Sequence, residues 1–189
     1  MPQAVRFLPQ SFSASSVTLT EVDVRLANSS DLPMIREFYK EIISYLNSKN
    51  IQIWDDVYPA RCFEEDVESK RFYLCFEKKA LACAFVLLES CKGEGAVVWE
   101  SNGAKSLYLY RLAVRTDLLR SGLGTRAMRI AEDISREKGA QYLRLFVVDF
   151  NTPALKMYEK CGYKRAQGEY VDVFDGGVCL TEYGYEIKL

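Results

Sequence analysis

The stretch from Leu107 to Gly162 constrains the fold more than any other part of the chain. An apolar run, Leu107 to Val114, empties into Arg115, Thr116, Asp117, Leu118, Leu119, Arg120, Ser121, Gly122, Leu123 and Gly124. An amphipathic helix starts at those glycines, with Leu123, Ala127, Ile130, Ala131 and Ile134 on one face and Gly139 as its stop. Tyr142 to Val148 is apolar on both faces apart from Arg144, which suits a central strand. A second helix spans Thr152 to Cys161, with Pro153 near its start and Gly162 at its end. The order strand, glycine loop, helix, strand, helix places bare amides at a helix start, where glycines let a ligand approach. Such amides form an anion site that needs no metal. A phosphorylated ligand is expected there.

Two other phosphate motifs fit less well. Gly122, Gly124 and Ala127 match a loose dinucleotide fingerprint, with Asp149 in the place of a ribose-binding acid. That fingerprint should follow its strand almost directly, whereas residues 115–121 intervene, and too little chain follows Asp149 to complete a doubly wound sheet. A nucleotide-triphosphate loop would need a Lys-Ser or Lys-Thr pair after the glycines, and none is present. A plain tight turn into a helix would leave unexplained the cluster of Arg115, Arg120, Arg126 and Arg129, opposed only by Asp117. Part of that cluster is solvated helix face, so one or two arginines are expected at the ligand.

The rest of the chain supplies a sheet and a second helical layer. Glu21 to Ala27 alternates polar and apolar residues as a half-buried strand does. Asn28, Ser29 and Ser30 offer capping side chains, and Leu32, Ile35, Phe38, Tyr39, Ile42 and Leu46 form the stripe of the following helix. Ile51 to Pro59 breaks that period, and a short helix runs from Arg61 to Glu68. Strands are expected at Phe72 to Glu77, Ala80 to Leu88 and Ala96 to Trp99, and a closing hairpin at Tyr163 to Val173 and Cys179 to Leu189 around Asp175, Gly176 and Gly177. The fold class is mixed α/β: one domain over residues 21–189, with residues 1–20 as a loose N-terminal extension.

Composition narrows the partners. The 189 residues are 49% hydrophobic and 27% charged, enough for a real core, and the net charge of −1 gives no global pull toward nucleic acid or a membrane surface. No apolar run approaches the roughly 20 residues that span a bilayer. The six cysteines have no Cys-x-x-Cys spacing and histidine is absent, so no metal site is expected and the cysteines read as reduced, cytoplasmic thiols. Any general base must then be Glu, Asp, Tyr, a thiolate or water.

Taken together, these residues resemble the GCN5-related N-acetyltransferase (GNAT) superfamily. Leu112 to Val114 followed by Leu119, Gly122 and Gly124 is similar to its acetyl-CoA motif, Gln/Arg-x-x-Gly-x-Gly/Ala, with Leu119 where Gln or Arg is usual. Asn151, Ala154, Tyr158, Gly162 and Tyr163 are similar to its second motif. The resemblance implies a mostly antiparallel sheet flanked by helices, with one splayed parallel strand pair that admits pantetheine. It implies cofactor contacts from the main chain of Leu112, Ala113 and Val114, from Leu119, Arg120, Ser121, Gly122, Leu123, Gly124 and Thr125, and from Asn151. Tyr158 matches the position that relatives use to protonate the departing thiolate, with a core aromatic packed beside Leu155 as the alternative.

The chemistry asks for more than the cofactor. An alkylammonium, with a pKa of roughly 10, must lose a proton before it attacks. Glu100 is the first candidate base, with a surface glutamate as the alternative, and Tyr110 is a second candidate or a lining residue. Trp54, Asp56 and Tyr58 offer carboxylate and aromatic faces to a cationic acceptor, or else pack and cap their own loop. The expected function is acetyl transfer from acetyl-CoA to a small-molecule primary amine by direct attack. Acetylation of a protein or peptide, and acyl-CoA binding without turnover, are the alternatives. The sequence leaves monomer and homodimer open.

Overall fold

Short-range patterning builds the first layer. In the computed structural model, which describes residues 22–173 and 179–189, Val22–Leu26 (β1) pairs antiparallel with Phe72–Glu77 (β2). The expected extension over residues 1–20 and the turn at Asp175, Gly176 and Gly177 lie outside the described residues. Asn28 then closes a capping box. Its side chain accepts from the Ser30 N–H, and Asp31 Oδ2 accepts from the Asn28 N–H at 2.9 Å. Helix Leu32–Ser48 (α1) follows with Pro33 in its first turn and buries Ile35, Phe38, Tyr39, Ile42 and Ile43. A short helix, Phe63–Glu68 (α2), packs beside it.

The sheet continues through Ala80–Leu88 (β3), Ser106–Val114 (β5), Tyr142–Val148 (β6) and Cys179–Lys188 (β10); the two-residue strand Val97–Val98 (β4) stands outside it. Its order is β1-β2-β3-β5-β6-β10, and every pair is antiparallel except β5 with β6. Helices Leu123–Glu137 (α3) and Thr152–Lys160 (α4) cover one face, where Leu123, Ala127, Met128 and Ala131 pack on Leu107, Leu109, Leu143 and Leu145. Helices α1 and α2 cover the other, with Ile35, Tyr39 and Phe63 against Phe72, Leu74, Val86 and Ala113. The mostly antiparallel sheet with one parallel pair and two helical layers is the architecture that the sequence implies.

The closing segment departs from expectation. In place of one long strand, Tyr163 to Val173 divides into Lys164–Arg165 (β7), Gln167–Gly168 (β8) and Tyr170–Val173 (β9). Strands β7 and β9 pair with β10, whereas β8 leaves the sheet to pair with β4. Gly168 makes the break with a left-handed φ of 92°, and a side chain there would sit 3.2 Å from the Ala96 carbonyl.

Arg144 is the polar exception in β6, and it is fully employed. It pairs with Glu186 on β10, donates to the Ser101 carbonyl at 2.6 Å and lies over the Trp99 ring at 4.6 Å. Glu186 in turn accepts from the Glu100 N–H at 2.6 Å. This network ties the loop after β4 to the paired end of β5 and β6.

Candidate active site

The parallel pair is the site's frame, because it is paired over only half its length. Ser106 to Leu109 align with Tyr142 to Leu145, and beyond that no pairing joins the two strands, though β5 runs to Val114 and β6 to Val148. The cause lies in β5. Between Ala84 and Val86 of β3 the register shifts, so that Ala113 and Tyr110 are the partners and β5 carries one extra residue. Arg111 sits in that bulge with φ of 52°, and its carbonyl turns to accept a hydrogen bond from the Tyr39 hydroxyl on α1. A bulged strand bends, and here it bends out of reach of β6.

The gap is lined by main-chain groups with open hydrogen-bonding capacity. Arg115 donates its N–H to the Ala82 carbonyl, which puts Arg115 and Ala113 in the hydrogen-bonded phase with β3. By the alternation of an antiparallel ladder, the amides and carbonyls of Leu112 and Val114 face away from β3, into the gap. Of the three expected positions, Ala113 therefore serves the sheet, and Leu112 and Val114 are the ones turned to a ligand.

At the open end of the gap, the loop before α3 presents more free donors. Arg120 (φ 64°) and Gly122 (φ 90°) adopt left-handed conformations, and Gly122 is the N-cap of α3. The N–H groups of Arg120, Gly122, Gly124 and Thr125 have no acceptor among the described residues, whereas those of Leu119, Ser121 and Leu123 make long bonds of 3.3–3.4 Å within the loop. Such an alternation of left-handed turns at a helix start is a concave nest for an anion, reinforced by the helix dipole. Arg115 is held by Asp117 at 2.7 Å, while the Arg120 side chain is exposed. Asn151, the residue before α4, uses only its main chain locally and leaves its side chain without a capping bond. Tyr158 lies on the face of α3 and α4, buried between the rings of Tyr163 and Tyr185, and its hydroxyl has no hydrogen-bond partner among the described residues. Burial pushes its pKa well above the usual tyrosine range, so it keeps its proton at any working pH.

The opposite face of the sheet gathers Tyr58, Tyr110 and Glu182. Tyr58 belongs to the loop after α1, and its ring lies 5.7 Å from the Arg111 guanidinium. Arg111 is nearly buried and pairs with the fully buried Asp66 of α2 at 3.4 Å, and Asp66 also accepts from Arg71 at 2.7 Å. Tyr110 bonds the Cys91 thiol, and burial raises its hydroxyl well above the tyrosine range. Trp54 packs on Tyr39 at 5.5 Å, Asp55 caps the loop by accepting from the Val57 and Tyr58 N–H groups, and Asp56 is exposed.

The structure separates Glu100 from the gap and brings a different glutamate beside it. Glu100 is not at the gap: its N–H is bonded to Glu186, which lies across from Arg144 near the paired end of β5 and β6, and its exposed carboxylate is 3.9 Å from Lys164. That is four residues along β10 from Glu182, ~13 Å at strand rise. Glu182 itself is across from Val148, the last residue of β6, and therefore beside the gap. In sequence, a glutamate in an alternating closing strand looks like an ordinary outward position, and only register reveals what it faces. Burial, with Asp172 adding, pushes its carboxyl from 4.5 up to about 7. The folded protein then holds a proton that the unfolded chain releases, so Glu182's contribution to stability is lost as pH rises from about 4.5 to about 7. Glu182→Gln is expected to melt close to the wild type near about pH 5 and above it near about pH 8, a gap measurable by thermal unfolding across that range.

Comparison with known proteins places this geometry. Residues 36–163 match the model of the Acetyltransferase (GNAT) family. The chain is 25% identical over 169 residues to "Probable N-acetyltransferase 14" of Xenopus tropicalis, covering 87% of this chain and 65% of that protein. It is 23% identical over 165 residues to a thialysine N-epsilon-acetyltransferase of Sus scrofa, covering 84% and 95%. A GNAT-family acetyltransferase structure from Listeria monocytogenes superposes with a TM-score of 0.70 at 20% identity, over 93% of this chain and 99% of that one. The yncA structure from Salmonella typhimurium, solved with its cofactor acetyl-CoA, gives 0.61 at 14% identity, over 89% and 94%. Identities this low make the structural likeness a statement about fold.

Proposed function

Because the chain belongs to the Acetyltransferase (GNAT) family, we propose that it transfers the acetyl group of acetyl-CoA to a primary amine of a small molecule, by direct attack within a ternary complex. The observation that carries this reading is the half-paired β5 and β6, with free main-chain donors at Leu112 and Val114 and four more at Arg120, Gly122, Gly124 and Thr125. That pattern fits a long ligand with amides along one arm and a diphosphate at one end. Leu112 and Val114 would bond the pantetheine amides as an added strand does. The four loop amides would hold the diphosphate, and the Asn151 side chain would reach the pantetheine arm. Acetyl-CoA supplies an activated thioester. The chain's part is to donate to the oxyanion from an amide in the gap and to return a proton to the departing sulfur from Tyr158.

A small acceptor fits better than a peptide. The 51–59 loop packs Trp54 on Tyr39 and sets the Tyr58 ring 5.7 Å from Arg111, and a loop packed down in this way supports a small acceptor over an extended peptide. The similarity to a thialysine N-epsilon-acetyltransferase points the same way. The family's usual Gln or Arg is Leu119 here, a half-exposed side chain in extended conformation, so contact at that position falls to the main chain.

Calorimetry with acetyl-CoA, followed by a primary-amine panel read by thiol release, tests the reading. Binding and turnover of at least one amine are expected, and absence of binding at millimolar acetyl-CoA would end it. Gly122→Ala is a finer check. No atom lies within 4 Å of a side chain built there, so the cost is conformational, about 1–2 kcal/mol for a left-handed residue. Acetyl-CoA affinity should fall by about tenfold as the nest relaxes, with denaturant unfolding reporting the stability loss separately.

A further inference from the structure

We propose that Glu182, on the strand beside β6, is the catalytic residue that takes the proton from the acceptor nitrogen, and that it does so from the sheet face opposite Tyr158. The assignment rests on the acetyltransferase reading and adds to it where the acceptor stands. Three observations carry it, all of them geometric.

First, register fixes the level. Glu182 pairs with Val148, and counting on from the last aligned pair, Leu109 with Leu145, with the extra residue of the Arg111 bulge allowed for, brings Val148 to the level of Ala113. On either side of it are Leu112 and Val114, the residues whose main chains face the gap. Secondly, alternation fixes the face. Tyr183, Tyr185 and Ile187 of β10 pack with α3 and α4, so Glu182, Gly184 and Glu186 point the other way; a side chain at Gly184 would meet Trp99 and Val97. Tyr158 lies in the α3 and α4 layer. A ligand threaded through the gap would then meet a proton donor on one side and a carboxylate on the other. Thirdly, the side chains around Glu182 are three phenols and a second carboxylate, drawn from three segments of the fold. Tyr170 of β9 is directly across from it, with its hydroxyl on Asp172 at 3.1 Å; Tyr110 of β5 and Tyr58 of the 51–59 loop lie within its electrostatic reach. The Glu182 carboxylate has no hydrogen-bond partner among the described residues.

Those neighbours set the pH behaviour. Asp172 and Tyr170 come from β9, Tyr110 from β5 with Cys91 bonded to it, and Tyr58 from the loop. Two guanidiniums, Arg111 and Arg61, each lie 5.7 Å from the Tyr58 ring; Arg111 is engaged by Asp66, and among the described residues no ion pair joins either of them to Glu182. A carboxylate facing another carboxylate and three neutral phenols lacks a permanent counter-ion and suits an incoming ammonium, with the rings adding cation–π attraction. The acceptor class is therefore a primary alkylamine that arrives charged. Glu182 takes one proton from the ammonium and passes it to solvent; the amine nitrogen forms the C–N bond to the acetyl carbon and gives its second proton to Glu182 as the tetrahedral adduct collapses, and the C–S bond breaks with its electron pair left on sulfur. Tyr158 protonates that sulfur and is reprotonated from solvent, while Glu182 gives its proton to solvent. The products are the acetamide, the free thiol and one proton.

Glu182→Gln and Glu182→Asp, each compared with the full wild-type chain, test the assignment. Acetyl-CoA affinity should be unchanged in both, while Glu182→Gln lowers kcat by about 10²- to 10⁴-fold. The wild-type kcat/KM should rise with pH along a limb that turns near about 7. Glu182→Asp should keep that limb at reduced rate, and Glu182→Gln should lose it. A Gln variant with turnover within a few-fold of wild type, or with the limb intact, overturns the assignment and leaves the acetyltransferase reading standing. Failure of the wild type to bind acetyl-CoA, or to acetylate any amine, overturns both.

Discussion

Tyr158→Phe is expected to lower turnover by about 10²- to 10⁴-fold while leaving acetyl-CoA affinity within a few-fold and the melting temperature unchanged or slightly raised. The three readouts follow from one environment. The Tyr158 ring is buried and packs on Tyr163 and Tyr185 at 6.2 and 6.3 Å, contacts that phenylalanine keeps. Its hydroxyl has no partner among the described residues, so deleting it breaks no hydrogen bond. What disappears is the proton that the proposed mechanism returns to the departing sulfur. Thiol-release kinetics, calorimetry and thermal unfolding on one preparation separate the three effects. A purely structural Tyr158 would leave turnover intact, or would lose it in step with stability.

Asp66→Ala carries the largest expected effect on folding, about 3–5 kcal/mol of destabilisation by urea unfolding. Asp66 is fully buried between two guanidiniums, 2.7 Å from Arg71 and 3.4 Å from Arg111. Arg111 keeps only 7% of its side chain exposed, so removing Asp66 strands a cation away from both water and counter-charge. A domain's whole margin is about 5–15 kcal/mol, which makes this a large fraction of it. The same loss should raise the KM for the amine more than the Kd for acetyl-CoA, because Arg111 lies against Tyr58 and Tyr110, on the face proposed for the acceptor. Adding Arg111→Met removes the stranded charge, and the double variant should recover much of the stability. Equal destabilisation in the single and double variants would contradict the ion-pair explanation.

What could be read from the chain beforehand follows the range of the interactions involved. Helix α3, strand β6 and helix α4 are written in local periodicity and in stops such as Gly139, and their residues fall where the pattern puts them. The phosphate loop is likewise local: glycines, arginines and a helix start within ten residues. Register is not local. Nothing near Glu100 in sequence tells that it sits at the paired end of β5 and β6, and nothing near Glu182 tells that it faces the gap. The bulge at Arg111 is an intermediate case. An arginine inside an otherwise apolar strand is an anomaly, and its cause, a partner in α2 forty-five residues earlier, appears only when the two helical layers are in place. The broken strand at Gly168 was hidden in the same way, since its partner β4 is only two residues long.

The account's central claim is that main-chain amides of the β5 gap and the α3 start grip acetyl-CoA, and an amide-resolved NMR titration with that ligand tests it most directly. The claim predicts that the largest shifts fall on the N–H groups of Leu112, Val114, Arg120, Gly122, Gly124 and Thr125, which lack partners or face the gap. Saturating acetyl-CoA that leaves these six amides in place, and moves others elsewhere on the molecule, would contradict it.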